Sequence, residues 1–288
     1  MKQIYAYMNA FGAVVLLAMP ASGAVLYNNL TPNNQIAVAT RPENGTDFEI
    51  EAADDFVLGS RSIVNSASFI GLGVPGAQGG NFSVSNVVIE MYRVFPLDSD
   101  TNRTPQVPTR LNSPSDVAFD SRDGSGGELS FTTSLLGSLT TLNSVQPGPL
   151  TVNPPANPTS AGNGPLTGQE MRFDVTFTTP FDLPADHYFF VPQVTLSNGA
   201  QFYWLSASRP ISGAGTTPIS PDLQEWTRNA ALDPDWLRVG TDIVAGIPAP
   251  TFNAAFSLEG TATPEPGTIF LGIAGMLAIG VSKYIRRA

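Results

Sequence analysis

The sequence predicts an all-β protein, a single β-sandwich of jelly-roll kind. Three observations carry this. Met171, Phe173, Val175 and Phe177 alternate with Arg172, Asp174, Thr176 and Thr178, and a period of two gives one buried and one solvated face. Phe252, Ala254, Phe256 and Leu258 repeat the pattern near the C-terminus. The 27 glycines and 25 prolines are scattered between short apolar stretches with almost no helical spacing, which favours many short strands joined by turns.

Taken in order, weaker strands are expected at 26–30, 48–52, 55–58, 66–72, 86–95, 129–133, 138–145, 187–196 and 201–207. In 86–95 both alternating sets are largely apolar, Val87, Ile89 and Met91 against Val88, Tyr92 and Val94, so that strand is expected in the centre of a sheet. Asn198-Gly199 tolerates positive φ and predicts a hairpin between the strands on either side. Residues 96–127 and 146–168 are rich in proline, glycine and polar residues and read as two long loops. A short helix is expected over 221–231, with Ser220 as cap and Pro221 in its first position.

Both ends of the chain read as signals. After Lys2, an apolar stretch from Ala10 to Met19 leads into Pro20-Ala21-Ser22-Gly23-Ala24, the form of a secretory signal peptide over residues 1–24. At the other end, Pro264-Glu265-Pro266 precedes an uncharged run, 269–281, followed by Lys283, Arg286 and Arg287. A helix through the run and its flanks spans roughly 20–24 Å at about 1.5 Å per residue. That approaches a hydrocarbon core of about 30 Å once the terminal cations snorkel. Cations on one side only place the C-terminus in the cytoplasm and the rest of the chain across the membrane. The two prolines hold Glu265 extended and block helix continuation, which suits a protease.

The tripartite arrangement resembles the PEP-CTERM sorting signal of Gram-negative, exopolysaccharide-producing bacteria, over residues 263–288. The resemblance implies processing by an exosortase, a membrane-embedded cysteine protease, with Pro264, Glu265, Pro266, Arg286 and Arg287 as recognition residues. It implies transient residence in the inner membrane, then a place at the cell surface or in the extracellular matrix. The segments 53–56 and 181–188 resemble uncharacterised sandwich ectodomains carried by other proteins with this tail, a likeness that brings no activity with it. The expected organisation is a signal peptide at 1–24, a β-sandwich ectodomain at 25–260, and the sorting signal with its transmembrane helix at 261–288.

Composition limits the chemistry. The chain carries a formal charge of −10; without the four cations of the two signals, ten arginines face 24 acidic residues, near −14. So acidic a body repels nucleic acid and anionic lipid. With no cysteine there is neither a disulfide framework nor a thiol nucleophile. His187 is the only histidine and no Gly-x-Ser-x-Gly elbow is present, so a structural histidine is expected rather than a catalytic triad.

Calcium is the one cofactor the sequence suggests. Asp98, Asp100 and Asn102 space oxygen ligands as a calcium-wrapping loop does, although Arg103 and Thr109 stand where an EF-hand has glycine and glutamate. Asp54-Asp55 and 120–123 are weaker candidates. A carboxylate pair for glycoside hydrolysis cannot be picked from 24 acids by spacing alone. Trp204 and Trp236 are expected to fill the core or pack against loops, the commoner use of tryptophan. If a sugar is held, Trp226 and Trp236 around Asp233-Pro234-Asp235, with Tyr203, are the expected contact.

The expected function is that of an exported, exosortase-processed surface or matrix protein, non-enzymatic and associated with extracellular polysaccharide and biofilm. The alternative is a secreted carbohydrate-binding module or polysaccharide-active enzyme.

Overall fold

The structure, a computed structural model, describes residues 23–45, 47–99, 111–147, 161–208, 222–229 and 236–263. Residues 1–22 and 264–288, which carry the export and sorting expectations, lie outside it. Among the described residues no helix is long and apolar enough to cross a membrane.

The strands are β1 (Ala24–Asn28), β2 (Pro32–Ala39), β3 (Ile50–Leu58), β4 (Ser62–Val74), β5 (Val84–Arg93), β6 (Asp120–Asp123), β7 (Leu129–Thr141) and β8 (Asn143–Val145). They continue with β9 (Leu166–Leu183), β10 (Asp186–Leu196), β11 (Gln201–Ala207), β12 (Trp226–Asn229), β13 (Leu237–Arg238), β14 (Asn253–Ala254) and β15 (Phe256–Ala262). A single π-type turn, Val239–Val244, closes with the Ala245 N–H on the Gly240 carbonyl at 2.7 Å.

These strands form two packed sheets. In the nine-stranded sheet β4 is the spine, with β9 along one side and β15 then β11 along the other. β7 lies beyond β9, β1 beyond β15, and β2 and β8 beyond β11. The six-stranded sheet runs β13-β12-β3-β10-β5-β6. Its strands pair antiparallel, and the parallel pair is β2 with β8 in the other sheet. β1 pairs with β15, Ala24 opposite Gly260, so the first and last strands are neighbours.

Aromatic rings fill the space between the sheets. Phe69 stacks on Phe173 at 4.7 Å, and Phe190 stacks on Phe256 at 4.9 Å. Each such pair contributes about 0.5–1.5 kcal/mol beyond the area it buries. Gly71 interrupts β4 because the Phe202 ring occupies the place of a side chain, 2.3 Å from where a Cβ would stand. Arg122 on β6 ties the two sheets, donating from Nη2 to the Pro180 carbonyl on β9 at 3.1 Å while its guanidinium lies 4.2 Å from the Phe181 ring centre.

The two-sheet architecture is the expected one, but several elements differ. The stretches 48–52 and 55–58 merge into one strand from Ile50, and 129–133 and the first half of 138–145 are one strand carrying a bulge at Gly137, whose φ is 134°, while 143–145 is β8. β2 was hidden by Pro32-Asn33-Asn34, which reads as a turn. β6 lies inside the first expected long loop, where pairing to the edge of β5 overrides the poor strand propensity of Asp-Ser-Arg-Asp. β9 begins at Leu166, inside the second. Strand 86–95 is next to the edge rather than central.

Of the helix expected over 221–231, the described residues 222–229 are not helical: Gln224 has φ of 67°, which a helix does not allow, and Trp226–Asn229 pairs with β3 instead. Asn198 and Gly199 do adopt positive φ, 60° and 67°, but the turn joins strands of different sheets. It is a corner across the sandwich, not a hairpin.

Candidate functional site

The six-stranded sheet is covered on both faces. Ala52, Phe56 and Leu58 of β3 face the main core, while Ala53 belongs to a second apolar cluster with Tyr92, Phe189, Val191, Leu223, Trp226 and Trp236. Acidic residues embedded in β3 are therefore enclosed whichever way they point: Glu51, Asp54 and Asp55 are each at most 2 % exposed. Burial of a carboxylate is costly unless something compensates its charge.

On the outer face the compensation is visible. Glu51 on β3 sits opposite Arg228 on β12, and the Arg228 Nε donates to Glu51 Oε2. Tyr92 Oη donates to Glu51 Oε1 at 2.7 Å and lies 3.1 Å from Glu90 Oε2. Arg228 Nη2 donates to Tyr92 Oη at 2.8 Å, and the guanidinium rests 4.5 Å from the Trp236 ring centre. Gln193 Nε2 donates to Glu49 Oε1 at 2.9 Å.

One oxygen from each of Glu49, Glu51 and Glu90 lies within 4.8 Å of the others. Burial, then the neighbouring Glu51, pushes the Glu90 carboxyl up to about 8. Burial, then Glu51, also raises Glu49. The group thus holds a proton near neutrality, with one guanidinium set against it. In spacing it has the makings of an acid–base pair or a cation site: Glu49 and Glu90 are half-buried, and Glu51 is buried with both oxygens engaged.

Further along the same face, His187 Nε2 meets Asp55 Oδ2 at 2.6 Å, and the Leu223 N–H donates to Asp55 Oδ1 at 3.1 Å. Burial raises Asp55 and the His187 bond opposes that rise. The lone histidine thus bonds a buried aspartate.

The inner face is different. Trp226 pairs with Ala53 and Thr227 with Ala52, and Glu225, just before β12, donates its N–H to the Phe252 carbonyl at 2.9 Å. Asp54 Oδ2 accepts the Ala254 N–H from the other sheet at 2.8 Å, while its Oδ1 has no partner. Both oxygens of Glu225, and the Tyr27 hydroxyl, are also buried without a partner. Burial alone pushes Glu225 up to about 8. Asp54 is raised by burial first and then by Asp55, Glu225 and Asp222.

The residues singled out from the sequence are scattered. Trp226 and Trp236 do come together, but inside: they are 2 % and 0 % exposed, with indole N–H groups donating to the Leu223 and Ser115 carbonyls at 2.8 and 3.0 Å. Tyr203 lies on the outer face of the other sheet, buried, donating to Gln146 Oε1 at 2.7 Å. None of the three offers a free face for a sugar to stack on, so the core-filling use of tryptophan holds. Asp98 is gripped by Arg93, whose Nε donates to Asp98 Oδ2 at 2.6 Å. Asp100, Asn102, Pro264, Glu265, Pro266, Arg286 and Arg287 lie outside the described residues.

Sequence reasoning missed Glu51, Glu90 and Arg228. The available signal was the run Ile50-Glu51-Ala52-Ala53-Asp54-Asp55-Phe56, where acids interrupt a strand with small or apolar residues on both faces. No protein-family model, curated protein or solved structure matches the chain.

Proposed function

We propose that this is an exported, exosortase-processed protein of the cell surface or extracellular matrix, non-enzymatic, whose jelly-roll body associates with extracellular polysaccharide. The observation that carries this reading is the order of features at the C-terminus. The last strand among the described residues ends at Ala262, and Thr263 is bonded too, its N–H and hydroxyl both donating to the Arg61 carbonyl at 2.8 and 2.7 Å. Pro264 follows at once and has no N–H with which to continue the ladder. In sequence, Pro264-Glu265-Pro266 directly follows Thr263, with the apolar run and Arg286-Arg287 beyond it. A rigid body, a stiff extended tripeptide and a membrane segment in that order suit a protease that works at the membrane surface. The acidic body fits a hydrated matrix and disfavours nucleic acid. Stacking through Trp226, Trp236 and Tyr203 is not part of this reading.

The test is expression of the full chain in a host carrying an exosortase, with the tail followed by intact-mass measurement. Glu265→Ala, or deletion of Arg286 and Arg287, is expected to leave the tail uncut while the circular-dichroism spectrum of the body stays predominantly β. Equal processing of wild type and both variants would sink the sorting reading. A glycan array on the processed protein then tests the polysaccharide association.

A further inference from the structure

We infer that the gap between the two sheets at Asp54 and Glu225 is a site for a hard divalent cation, calcium being the best fit. Glu225 and Asp54 flank the Trp226–Ala53 pair, and both bond the same short segment of the other side, Glu225 through its N–H to the Phe252 carbonyl at 2.9 Å and Asp54 through Oδ2 to the Ala254 N–H at 2.8 Å. Asp54 is confirmed on the inner face by its bond to the Ala254 N–H, which belongs to the other sheet. Three carboxylate oxygens, Asp54 Oδ1 and both of Glu225, are fully enclosed with nothing bonded to them. No guanidinium among the described residues bonds either group, whereas Glu51 on the opposite face of the same strand has Arg228.

A proton on either acid cancels charge but leaves the remaining lone pairs unsatisfied. A cation answers both needs at once. The donors are all oxygen, with neither thiolate nor imidazole on this face, which selects a hard ion. Calcium accepts irregular coordination and a bidentate glutamate, whereas magnesium demands a strict octahedron and keeps several waters. The Tyr27 hydroxyl is a further buried oxygen without a partner. An ion here clamps β3 and β12 of one sheet against β1 and β14 of the other.

The experiment uses the full chain, purified in detergent and stripped with a chelator. Calcium is expected to raise the unfolding temperature by several degrees. Terbium is expected to bind one ion per chain, with luminescence excited through tryptophan, since Trp226 adjoins Glu225, and to be displaced by calcium. Glu225→Gln and Asp54→Asn should each lose the signal, whereas Asp100→Asn and Glu90→Gln should keep it. If the inner-face variants do not fold, retention in Asp100→Asn and Glu90→Gln still supports the inner site. Absence of binding and of any thermal shift in the wild-type chain overturns the inference. So does binding that survives Glu225→Gln, or that Asp100→Asn or Glu90→Gln abolishes.

Discussion

Glu51 and Asp54 stand three residues apart on one strand, face opposite ways and are equally buried, yet their surroundings differ. Glu51 has a guanidinium, a phenol and a proton-bearing neighbour in Glu90. Asp54 has one backbone N–H and only further acids, Asp55, Glu225 and Asp222, as charged neighbours. The difference shows two ways for a sandwich to enclose negative charge. One arrangement is complete within the chain's own side chains. The other needs something the side chains do not supply.

The comparison breaks most sharply at Arg228. Arg228→Met removes the guanidinium bonded to Glu51, the only one among the described residues, and strands a buried charge, which typically costs about 3–5 kcal/mol. Chemical denaturation should show a large fall in midpoint; a change within error would mean that Glu51 is already neutral.

The next effect is on pH. Glu90 ordinarily titrates near 4.5 and is raised to about 8 in the fold, so the folded state binds more protons between those values. Stability from this group is therefore full below about pH 4.5 and declines as pH rises towards 8. The decline amounts to a few kcal/mol, at about 1.4 kcal/mol per unit of separation. Thermal unfolding from pH 5 to 9 should show it, and Glu90→Gln should flatten the profile; an unchanged slope would remove Glu90 as its source.

The smallest effect sharpens the contrast. In chelator, Glu225→Leu replaces an uncompensated carboxylate by an apolar group and should raise stability, at the lower end of the roughly 1–4 kcal/mol seen when buried ionic groups are replaced. A fall in the denaturation midpoint would show that Glu225 already has a partner in the chelated protein.

The fold was legible where one face of a strand is solvated. β9 announces itself because Arg172 and Asp174 pair with each other on the open face while Phe173 and Val175 turn inward. It was illegible where local chemistry imitates something else, as in Pro32-Asn33-Asn34 at the head of β2 or the helix-start residues before β12. Asn198-Gly199 shows the limit of local reading. The turn conformation is written in those two residues, but the sheet the chain enters next is decided by Phe202 and Trp204 reaching the far side of the core. For the site, Glu51, Glu90 and Arg228 were illegible, because their proximity depends on the register of four strands, β12, β3, β10 and β5, and no spacing along the chain encodes that.

The adjacency of β1 and β15 sets the timetable of assembly. A chain emerges from its N-terminus, so β1 waits without its neighbour until some 230 further residues have been made, Ala24 finally meeting Gly260. β4 waits too, since residues 62–69 line up with β15. Premature release anywhere before 256 therefore leaves the central strand with a bare flank and the opening strand adrift. Such a fragment is easy prey for quality-control proteases, and only finished molecules survive to be used.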